Sequence, residues 1–595
     1  MALSGRPCNL AVVDEHDVTI LGGGLAGLCL ARQLRLESPD ATVAVVEKVA
    51  RPLPEAAHKV GESSVELGSR YFDTTLQLRD YLLDRHLIKN GLRFFPGGGT
   101  THALADRVEI GPPQLPKVAS YQLDRGRFEN DLRAMCEDGG VTLIEGVSVT
   151  DVALGEPHRV TLDDGRALTS RWVVDATGRR QLLARQLGLR EPSGHVGHAA
   201  WFRIDGRLDV DHLVPKSDEA WHARDLDGVR WLSTSHLMGE GYWVWIIPLS
   251  SGHTSIGIVT HGSVHPFDTM NTLERARGWI DAHEPALTEA LARFEVDDFR
   301  CIKDYSYTAS RVFSADRWAL VGEAGLFVDP FYSPGSDFIA LANAMTGELV
   351  KRDLAGEPID EAADWYDFFY RRLAAISTKT YSDAAAAYGS PRVMAAKIYW
   401  DNANYWAFVC QYFFQELYRL PVAEQRAMLE VCERFATLNL RGQRLFGRWA
   451  ELADDAVERE HVVLPAIPSM LANLHLDLER EMTPDETHAY FVEKEEALGR
   501  LLTDFLLRAV TELGPERGAQ LLDALDARGW ELPGLQVRVD AERGGRRGRR
   551  KRLPRLSRDL ERTLGPARGS LLETASELFS DSLGEPPADE NAARA

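Results

Sequence analysis

The stretch Asp17-Val18-Thr19-Ile20-Leu21-Gly22-Gly23-Gly24-Leu25-Ala26-Gly27 places a short β-type run directly before a cluster of glycines. Gly22 suits the tight turn after a strand, Gly24 lets a backbone approach a pyrophosphate, and Gly27 lets the next helix pack closely on the strand. The free N–H groups and positive dipole end of that helix favour phosphate at this position. The stretch therefore predicts a nucleotide-binding turn.

The residues after the glycines supply the context that this pattern needs. We predict a helix over 25–36 and a second strand over 41–46, which runs into Glu47 twenty residues after Gly27. An acid at that spacing accepts hydrogen bonds from ribose hydroxyls and disfavours a 2′-phosphate. The alternative is a glycine-rich turn in some other α/β protein, which the full βαβ context disfavours.

Composition restricts the class of protein. A chain of 595 residues exceeds one ordinary core, so we expect two or three domains. The net charge of −21 argues against general nucleic-acid binding, which needs a basic surface. The six cysteines lack the spacing of a zinc site or a disulfide framework, so we expect no metal and a reducing, cytoplasmic location. Without a signal-peptide pattern or a run of eighteen apolar residues, no membrane association is expected.

Two further strand-to-glycine junctions are predicted, the first of which would close over the same nucleotide. The strand 172–174 ends in Asp175-Ala176-Thr177-Gly178, and the strand 318–321 ends in Gly322-Glu323-Ala324-Gly325. The second junction continues through Asp329 towards a helix over about 338–354, whose N-terminus favours an anion or a flavin edge.

Two other local patterns carry competing interpretations. Arg125 and Arg127 open a helix over about 125–137, where the dipole disfavours cations, so a bound anion would explain them. Lys89 lies at a turn before a strand, and spacing alone favours a solvated surface lysine there.

Residues 199–259 alternate in the manner of an antiparallel sheet with one buried face. Within them, Trp243-Val244-Trp245-Ile246-Ile247-Pro248 puts two tryptophans on one face of a strand. A core-facing pair is the plain alternative.

The later part of the chain changes character. Residues 360–530 carry apolar and aromatic side chains at helical spacing, and residues 543–558 hold a basic cluster. That cluster is either a patch for an acidic partner or phosphate, or a solvated arm, and the acidic composition favours the arm. We expect disorder over 583–595 and a division into 1–355, 356–535 and 536–595.

Seven motifs together resemble the flavin-dependent halogenases, which belong to a superfamily of FAD-dependent monooxygenases. The resemblance covers roughly residues 15–350, and WxWxIP is its most specific element. The motifs are GGGLAG at 22–27, KVGESS at 59–64, LIKNGLRFF at 87–95, LDRGRFENDL at 123–132, DATG at 175–178, WVWIIP at 243–248 and GEAGLFVDPFYSPG at 322–335.

The resemblance implies an α/β fold: a Rossmann-like FAD-binding domain of the GR2 type with an antiparallel substrate-side sheet, followed by a mostly helical C-terminal domain. It also implies that reduced FAD and oxygen convert halide to hypohalous acid. A lysine across an internal tunnel then holds that oxidant beside the substrate, and Lys89 falls at the Lys-x-Gly of the carrier-protein and phenol-type halogenases. The tryptophan pair keeps the substrate away from the flavin.

The implied site residues fall into three groups. The catalytic group is Lys89, Trp243, Trp245 and Ser333. Gly335 helps to hold halide. The cofactor-binding group is Gly22, Gly24, Gly27, Glu47, Arg125, Asp175, Gly178, Glu323 and Asp329.

Three residues depart from the family pattern. Glu323 stands where the usual motif has Asp, and the longer acid still reaches a ribityl hydroxyl. Tyr332 replaces a Glu that assists the lysine of tryptophan halogenases, which argues against tryptophan as substrate. Pro334 has no backbone N–H, which the family uses for halide. This leaves open weakened halide capture or no halogenation.

Three functions follow. The first is FADH2- and oxygen-dependent halogenation of an aromatic or electron-rich metabolite, free or tethered to a carrier protein. Because no second nucleotide motif is visible, a separate flavin reductase would supply reduced FAD. The second is a flavin monooxygenase or dehydrogenase on the same scaffold. The third is a catalytically silent flavoprotein that serves as a binding partner.

Overall fold

The structure, a computed structural model, describes residues 13–55, 59–99, 101–453, 468–543 and 553–579. The strands are β1 (Val13–Leu21), β2 (Val43–Glu47), β3 (Leu87–Ile88), β4 (Leu92–Gly98), β5 (Tyr121–Gln122), β6 (Thr142–Glu145), β7 (Val149–Ala153), β8 (His158–Leu162), β9 (Ala167–Asp175), β10 (Arg190–Pro192), β11 (Gly197–Ile204), β12 (Thr234–Gly239), β13 (Tyr242–Pro248), β14 (Thr254–His261), β15 (Arg300–Ile302), β16 (Tyr307–Ala309), β17 (Phe313–Ser314) and β18 (Trp318–Leu320).

The helices that precede the helical C-terminal region are α1 (Leu25–Glu37), α2 (Glu66–Arg70), α3 (Arg79–Arg85), α4 (Arg125–Asp138), α5 (Leu182–Gln186), α6 (Glu219–His222), α7 (Leu273–His283) and α8 (Pro285–Leu291). They have seven residues or fewer, apart from α1, α4 and α7. The later helices are α9 (Gly335–Leu354), α10 (Asp360–Ser382), α11 (Ala385–Gly389), α12 (Pro391–Asn404), α13 (Cys410–Phe414), α14 (Val422–Ala427), α15 (Leu429–Leu452), α16 (Ser469–Leu476), α17 (Pro484–Leu525), α18 (Leu535–Arg543), α19 (Arg555–Leu564) and α20 (Leu571–Leu578).

The first sheet is built around β1. Strands β2 and β9 flank it, both parallel to it, and the order is β17-β18-β9-β1-β2-β6, with β8 and β7 continuing from β9. The central residues Val18, Ile20 and Leu21 are fully buried, as a parallel strand covered on both faces requires. This confirms the predicted βαβ unit and the Rossmann-like class.

The second sheet has the order β15-β11-β14-β13-β12-β4 and is antiparallel except for the β4–β12 pair. The expectation of one buried face is wrong, because every residue of β11, β13 and β14 is buried. One face, with Trp201 and Trp243, joins the main core. The other face, with Phe202, packs against Trp279 and Ile280 of α7 in a second core. The helices that follow the sheet therefore cover the face that the sequence pattern predicts to be exposed to solvent.

The helical C-terminal region predicted over 356–535 is confirmed by α10 to α17, and α18 to α20 continue the helices beyond it. One continuous apolar core runs from β1 to residues of α20, so the apolar packing does not stop at residue 355. The division at 355 and 535 stays a prediction. The basic residues Arg546, Arg547, Arg549, Arg550, Lys551 and Arg552 and the tail 583–595 lie outside the described residues. Among the helices of the described residues, none combines the length and apolar character that a membrane span needs.

Close packing between β1 and α1 depends on two glycines. Gly22 has φ of +108°, a conformation that favours glycine. A Cβ atom on Gly27 would lie 2.0 Å from the carbonyl oxygen of Gly22, so a side chain at 27 would push the helix off the strand. The packing role predicted for Gly27 is thereby confirmed.

We expect Gly27→Ala to lower the free energy of unfolding by about 1–3 kcal/mol, because the added methyl overpacks a rigid backbone contact. Chemical denaturation measures this loss. The matched control is Gly24→Ala, where an added Cβ meets no atom within 4 Å and φ is −86°. Equal stability of the two variants would contradict the packing argument.

Candidate active site

A first cavity, of about 520 Å³, lies at the carboxyl ends of β1, β2 and β9, where α1 begins. Ligands of open parallel sheets bind at this edge. We call it the nucleotide cavity. The predicted site residues that line it are Gly22, Gly24, Glu47, Arg125, Gly178, Trp243, Trp245, Glu323, Asp329, Ser333 and Gly335.

The turn between β1 and α1 leaves space for a nucleotide and has hydrogen-bond acceptors beside it. A Cβ atom on Gly24 would point into open space, so the backbone there is accessible from the cavity. The Glu47 carboxylate accepts the N–H of Gly23 at 2.7 Å and that of Val49 at 2.9 Å, one on each oxygen. Each oxygen keeps acceptor capacity for a ribose hydroxyl.

The arginines that open α4 are neutralised within the protein. Arg125 pairs with Glu129 at 2.6 Å, and Arg127 pairs with Glu55 at 2.7 Å. These carboxylates explain the cations at a helix start, so no bound anion is needed for that purpose. The Arg125 Nε atom is buried without a hydrogen-bond partner among the described residues, and the residue lines the nucleotide cavity.

Asp175 lies behind the cavity wall. Its carboxylate accepts the N–H and hydroxyl of Thr177 at 2.8 and 2.6 Å and the N–H of Leu183 at 2.7 Å. These three donors use the carboxylate internally, so the structure places Asp175 in support of the turn that carries Gly178. The motif implied that Asp175 contacts the nucleotide directly. This placement does not favour such a contact.

Asp329 is anchored by partners that the sequence did not reveal. Its carboxylate lies 2.8 Å from His195 Nε2 and also accepts the Tyr305 hydroxyl and the Phe331 N–H. Burial raises the pKa of the Asp329 carboxyl, but His195 and the other donors outweigh it and lower the pKa. Glu323 behaves differently: 35% of its side chain is exposed, and it lies 3.7 Å from Arg179.

The two tryptophans of β13 lie in the wall of the nucleotide cavity. Their ring centroids are 5.8 Å apart, and Trp243 also packs edge-on against Phe331 at 5.4 Å. His236, which the sequence analysis did not single out, lies 5.2 Å from Trp243. Burial lowers the pKa of His236 to about 3, so this ring is neutral.

A second cavity, of about 530 Å³, lies on the other side of the loop that contains Ser333 and Pro334. Lys89 and Tyr332 line it together with residues of α9, α10, α12 and α15. Pro334 lines both cavities, while Ser333 lines the nucleotide cavity. The loop between β18 and α9 therefore forms a common wall.

Lys89 lines the second cavity and is 1% exposed, so the surface interpretation is wrong. Its Nζ atom donates to Ser63 Oγ at 2.8 Å and to the Ser64 carbonyl at 2.7 Å. Ser333 Oγ lies 2.9 Å from the same Ser63 Oγ, and Ser333 holds the uncommon φ of +59°. A chain of hydrogen bonds thus joins the nucleotide cavity to the amine that lines the second cavity.

Burial also changes the acid–base chemistry of Lys89. It lowers the pKa of the amine to about 7, although Glu66 and Asp337 act to raise it. Both carboxyl groups line the second cavity. Near neutral pH the amine is therefore available as an ammonium and as a free base.

A family model described as "Tryptophan halogenase" matches residues 113–364, and one described as "NAD(P)-binding Rossmann-like domain" matches residues 20–85. The flavin-dependent halogenase chlA of Dictyostelium discoideum is 25% identical over 445 residues, which are 69% of this chain and 73% of that protein. The 1H-pyrrole-2-carbonyl-[peptidyl-carrier protein] chlorinase of Pseudomonas fluorescens is 27% identical over 365 residues, 57% of this chain and 76% of that protein.

These matches make the chain similar to the flavin-dependent halogenases, the family that its sequence motifs resemble. This confirms the predicted class, an FAD-dependent oxidoreductase on a Rossmann-like scaffold. The solved structure of halogenase PltM in complex with phloroglucinol and FAD shares the fold: its TM-score is 0.59 at 17% identity, over 82% of this chain and 96% of that one.

The chain departs from the halogenase pattern at the start of α9. Pro334 precedes the helix and has no N–H, so the first backbone donors of α9 belong to Gly335 and Ser336. Both residues line the nucleotide cavity. Any anion at this helix start has one backbone donor fewer than the family pattern offers.

We expect the low pKa of Lys89 to appear as a pH dependence of stability. The unfolded chain keeps the ordinary pKa of 10.5 and the folded chain has about 7, so the unfolded state holds an extra proton between these values. The free energy of unfolding of the wild type should then rise, relative to Lys89→Met, by up to about 1.4 kcal/mol per pH unit from pH 7 to 10.

Denaturant titrations at a series of pH values measure this difference. The control is Lys117→Met, which removes an exposed lysine at the same cavity. A difference between wild type and Lys89→Met that stays constant with pH would contradict the burial of a titrating amine.

Proposed function

We propose that the chain halogenates an aromatic or otherwise electron-rich small molecule, with FAD in the nucleotide cavity and the substrate in the second cavity. The observation that carries this proposal is the placement of Lys89. Its amine lines the second cavity and is hydrogen-bonded, through Ser63, to Ser333 of the nucleotide cavity. The P. fluorescens relative is named for a substrate bound to a carrier protein; a free molecule is the alternative for this chain.

The residues of the nucleotide cavity fit FAD. Gly24 leaves the space that a pyrophosphate needs, Glu47 offers acceptors for ribose hydroxyls, and Arg125 offers an unpaired buried N–H. Glu323, partly exposed at the wall, would accept a hydrogen bond from a ribityl hydroxyl. When bound in its reduced form, FAD would activate oxygen, and the activated oxygen would oxidise halide to hypohalous acid. A separate flavin reductase is the proposed source of reduced FAD.

Lys89 would act in the step that follows the formation of hypohalous acid, the transfer of halogen to the substrate. As an ammonium it donates a hydrogen bond that polarises hypohalous acid, and as a free amine it is nucleophilic enough to be halogenated itself. The pKa near 7 supports both forms. Ser333 and Ser63 mark the route from the nucleotide cavity to this amine. Trp243 and Trp245, in the wall of the nucleotide cavity, would keep the substrate in the second cavity.

One observation favours a second candidate function. Pro334 removes a backbone donor at the helix start that would hold halide next to Gly335. A flavin monooxygenase or dehydrogenase has no need of that donor and no need of a lysine relay. The two functions therefore differ in their dependence on halide and on Lys89.

We expect Gly24→Val to purify without flavin, because the isopropyl group fills the space at the nucleotide turn. The visible absorbance of the purified protein measures the flavin content. Gly278→Val is the control, since Gly278 on α7 also has open space around it but lies outside the nucleotide cavity. Full flavin occupancy in Gly24→Val would refute the assignment of the site.

We expect Lys89→Ala to retain flavin and peroxide release but to lose product formation by at least about a hundredfold, the usual scale for loss of a positioned catalytic group. Lys89→Arg should fail as well, because guanidinium stays charged and has a different shape. Mass spectrometry of reactions with chemically reduced enzyme, with and without chloride or bromide, gives the readout. Lys117→Ala is the control. Retained, halide-independent product in Lys89→Ala would favour the monooxygenase.

A further inference from the structure

A buried charged network lies in the wall of the second cavity, on the side formed by the helical C-terminal region. Its centre is Asp401 of α12, which lines the cavity and is 8% exposed. Lys397, one helical turn earlier, donates to Asp401 Oδ2 at 2.7 Å and is 1% exposed. Gln443 of α15 donates to Asp401 Oδ1 at 2.7 Å. The proposed function uses none of these three residues.

The charged and polar groups of this network have hydrogen-bond partners within the protein. Lys397 also donates to Gln443 Oε1 at 2.5 Å, so the ion pair is tied to a neighbouring helix. A buried carboxylate with a paired cation and several donors is stable in its charged form. The Asp401 carboxyl is therefore held in one position in the cavity wall by Lys397 and Gln443.

A hydrogen bond links Asp401 to Tyr332, which also lines the second cavity. Its hydroxyl donates to Asp401 Oδ2 at 2.7 Å. A tyrosine hydroxyl has one proton and two lone pairs, so the proton is used and the oxygen remains an acceptor. Burial raises the pKa of Tyr332 well above its ordinary value, which keeps that proton in place. Only part of the Tyr332 side chain is buried, and it lines the second cavity.

Tyr332 and the proposed reactive amine of Lys89 line the same cavity. Tyr332 directly precedes Ser333, whose hydroxyl is linked through Ser63 to Lys89. Its ring packs edge-on against Phe94 at 5.9 Å, so the surroundings suit a flat aromatic ring. A substrate ring whose O–H or N–H group is hydrogen-bonded to Tyr332 would lie in the same cavity as the Lys89 amine.

We propose that Tyr332, oriented by Asp401 and Lys397, recognises the substrate by accepting a hydrogen bond from an O–H or N–H group on the aromatic ring. This rests on the proposed function. Donation to a polarised oxygen increases the electron density of the ring, which favours attack on an electrophilic halogen. In that step the ring carbon forms a bond to halogen as the O–halogen bond of hypohalous acid breaks, and the ring proton leaves with hydroxide as water. Tyr332 contacts substrate, and Asp401 and Lys397 are positioning residues.

The test uses three electron-rich probes with the FAD-loaded protein: resorcinol with O–H donors, 1,3-diaminobenzene with N–H donors, and 1,3-dimethoxybenzene with neither. We expect at least one donor probe to bind the wild type about tenfold more tightly than the dimethoxy compound, the scale of one hydrogen bond in a formed site. Calorimetry measures the three dissociation constants, and the better donor probe distinguishes O–H from N–H recognition.

Tyr332→Phe should reduce that preference to within about twofold, because the ring shape is kept while the acceptor is lost. Tyr381→Phe is the control: its ring lies 6.2 Å from that of Tyr332, and its hydroxyl is not among the described donors to Asp401. A wild type without preference, or a preference that survives Tyr332→Phe, would overturn the proposal. Binding of the probes and formation of halogenated product are measured separately. Donor preference that depends on Tyr332, without halogenated product, would refute the proposed function and support this recognition.

Discussion

The architecture of the site depends on the hydrogen bonds that hold a lysine inside the protein. Burying the Lys89 amine away from water is unfavourable for its charged form, and the hydroxyl of Ser63 and the carbonyl of Ser64 compensate only in part. The amine consequently has a pKa near 7. A solvated lysine would have neither this pKa nor a fixed position between two cavities.

The wall around that amine is assembled from distant parts of the chain. Ser63 comes from the loop before α2, Lys89 from the turn between β3 and β4, and Ser333 from the loop before α9. Ser333 adopts a left-handed backbone conformation that non-glycine residues seldom adopt, and its hydroxyl meets Ser63 there. The surrounding apolar core helps to hold this conformation, because Phe331 and Phe338, on either side of Ser333, are buried in it.

The same wall carries the departures from the family pattern. Pro334 removes one backbone donor on the side of the nucleotide cavity, and Tyr332 replaces an acid on the side of the second cavity. In this chain a negative group is nevertheless present near that position, because Asp401 accepts the Tyr332 hydroxyl. The charge comes from α12 and is balanced by Lys397, so its placement depends on the packing of the helical region on the loop.

The sequence by itself determined the βαβ unit, the nucleotide turn, the antiparallel character of the second sheet and the helical C-terminal region. These follow from local physics: turn glycines, strand alternation and helical periodicity act over a few residues. The turn at Gly22 and the close packing at Gly27 are of this kind. Only the tertiary structure decided that β11, β13 and β14 are buried on both faces, that Asp175 is used internally, and that carboxylates neutralise the arginines of α4. The burial of Lys89 and the pairing of Tyr332 with Asp401 join residues far apart in the chain, and no local pattern records such a contact.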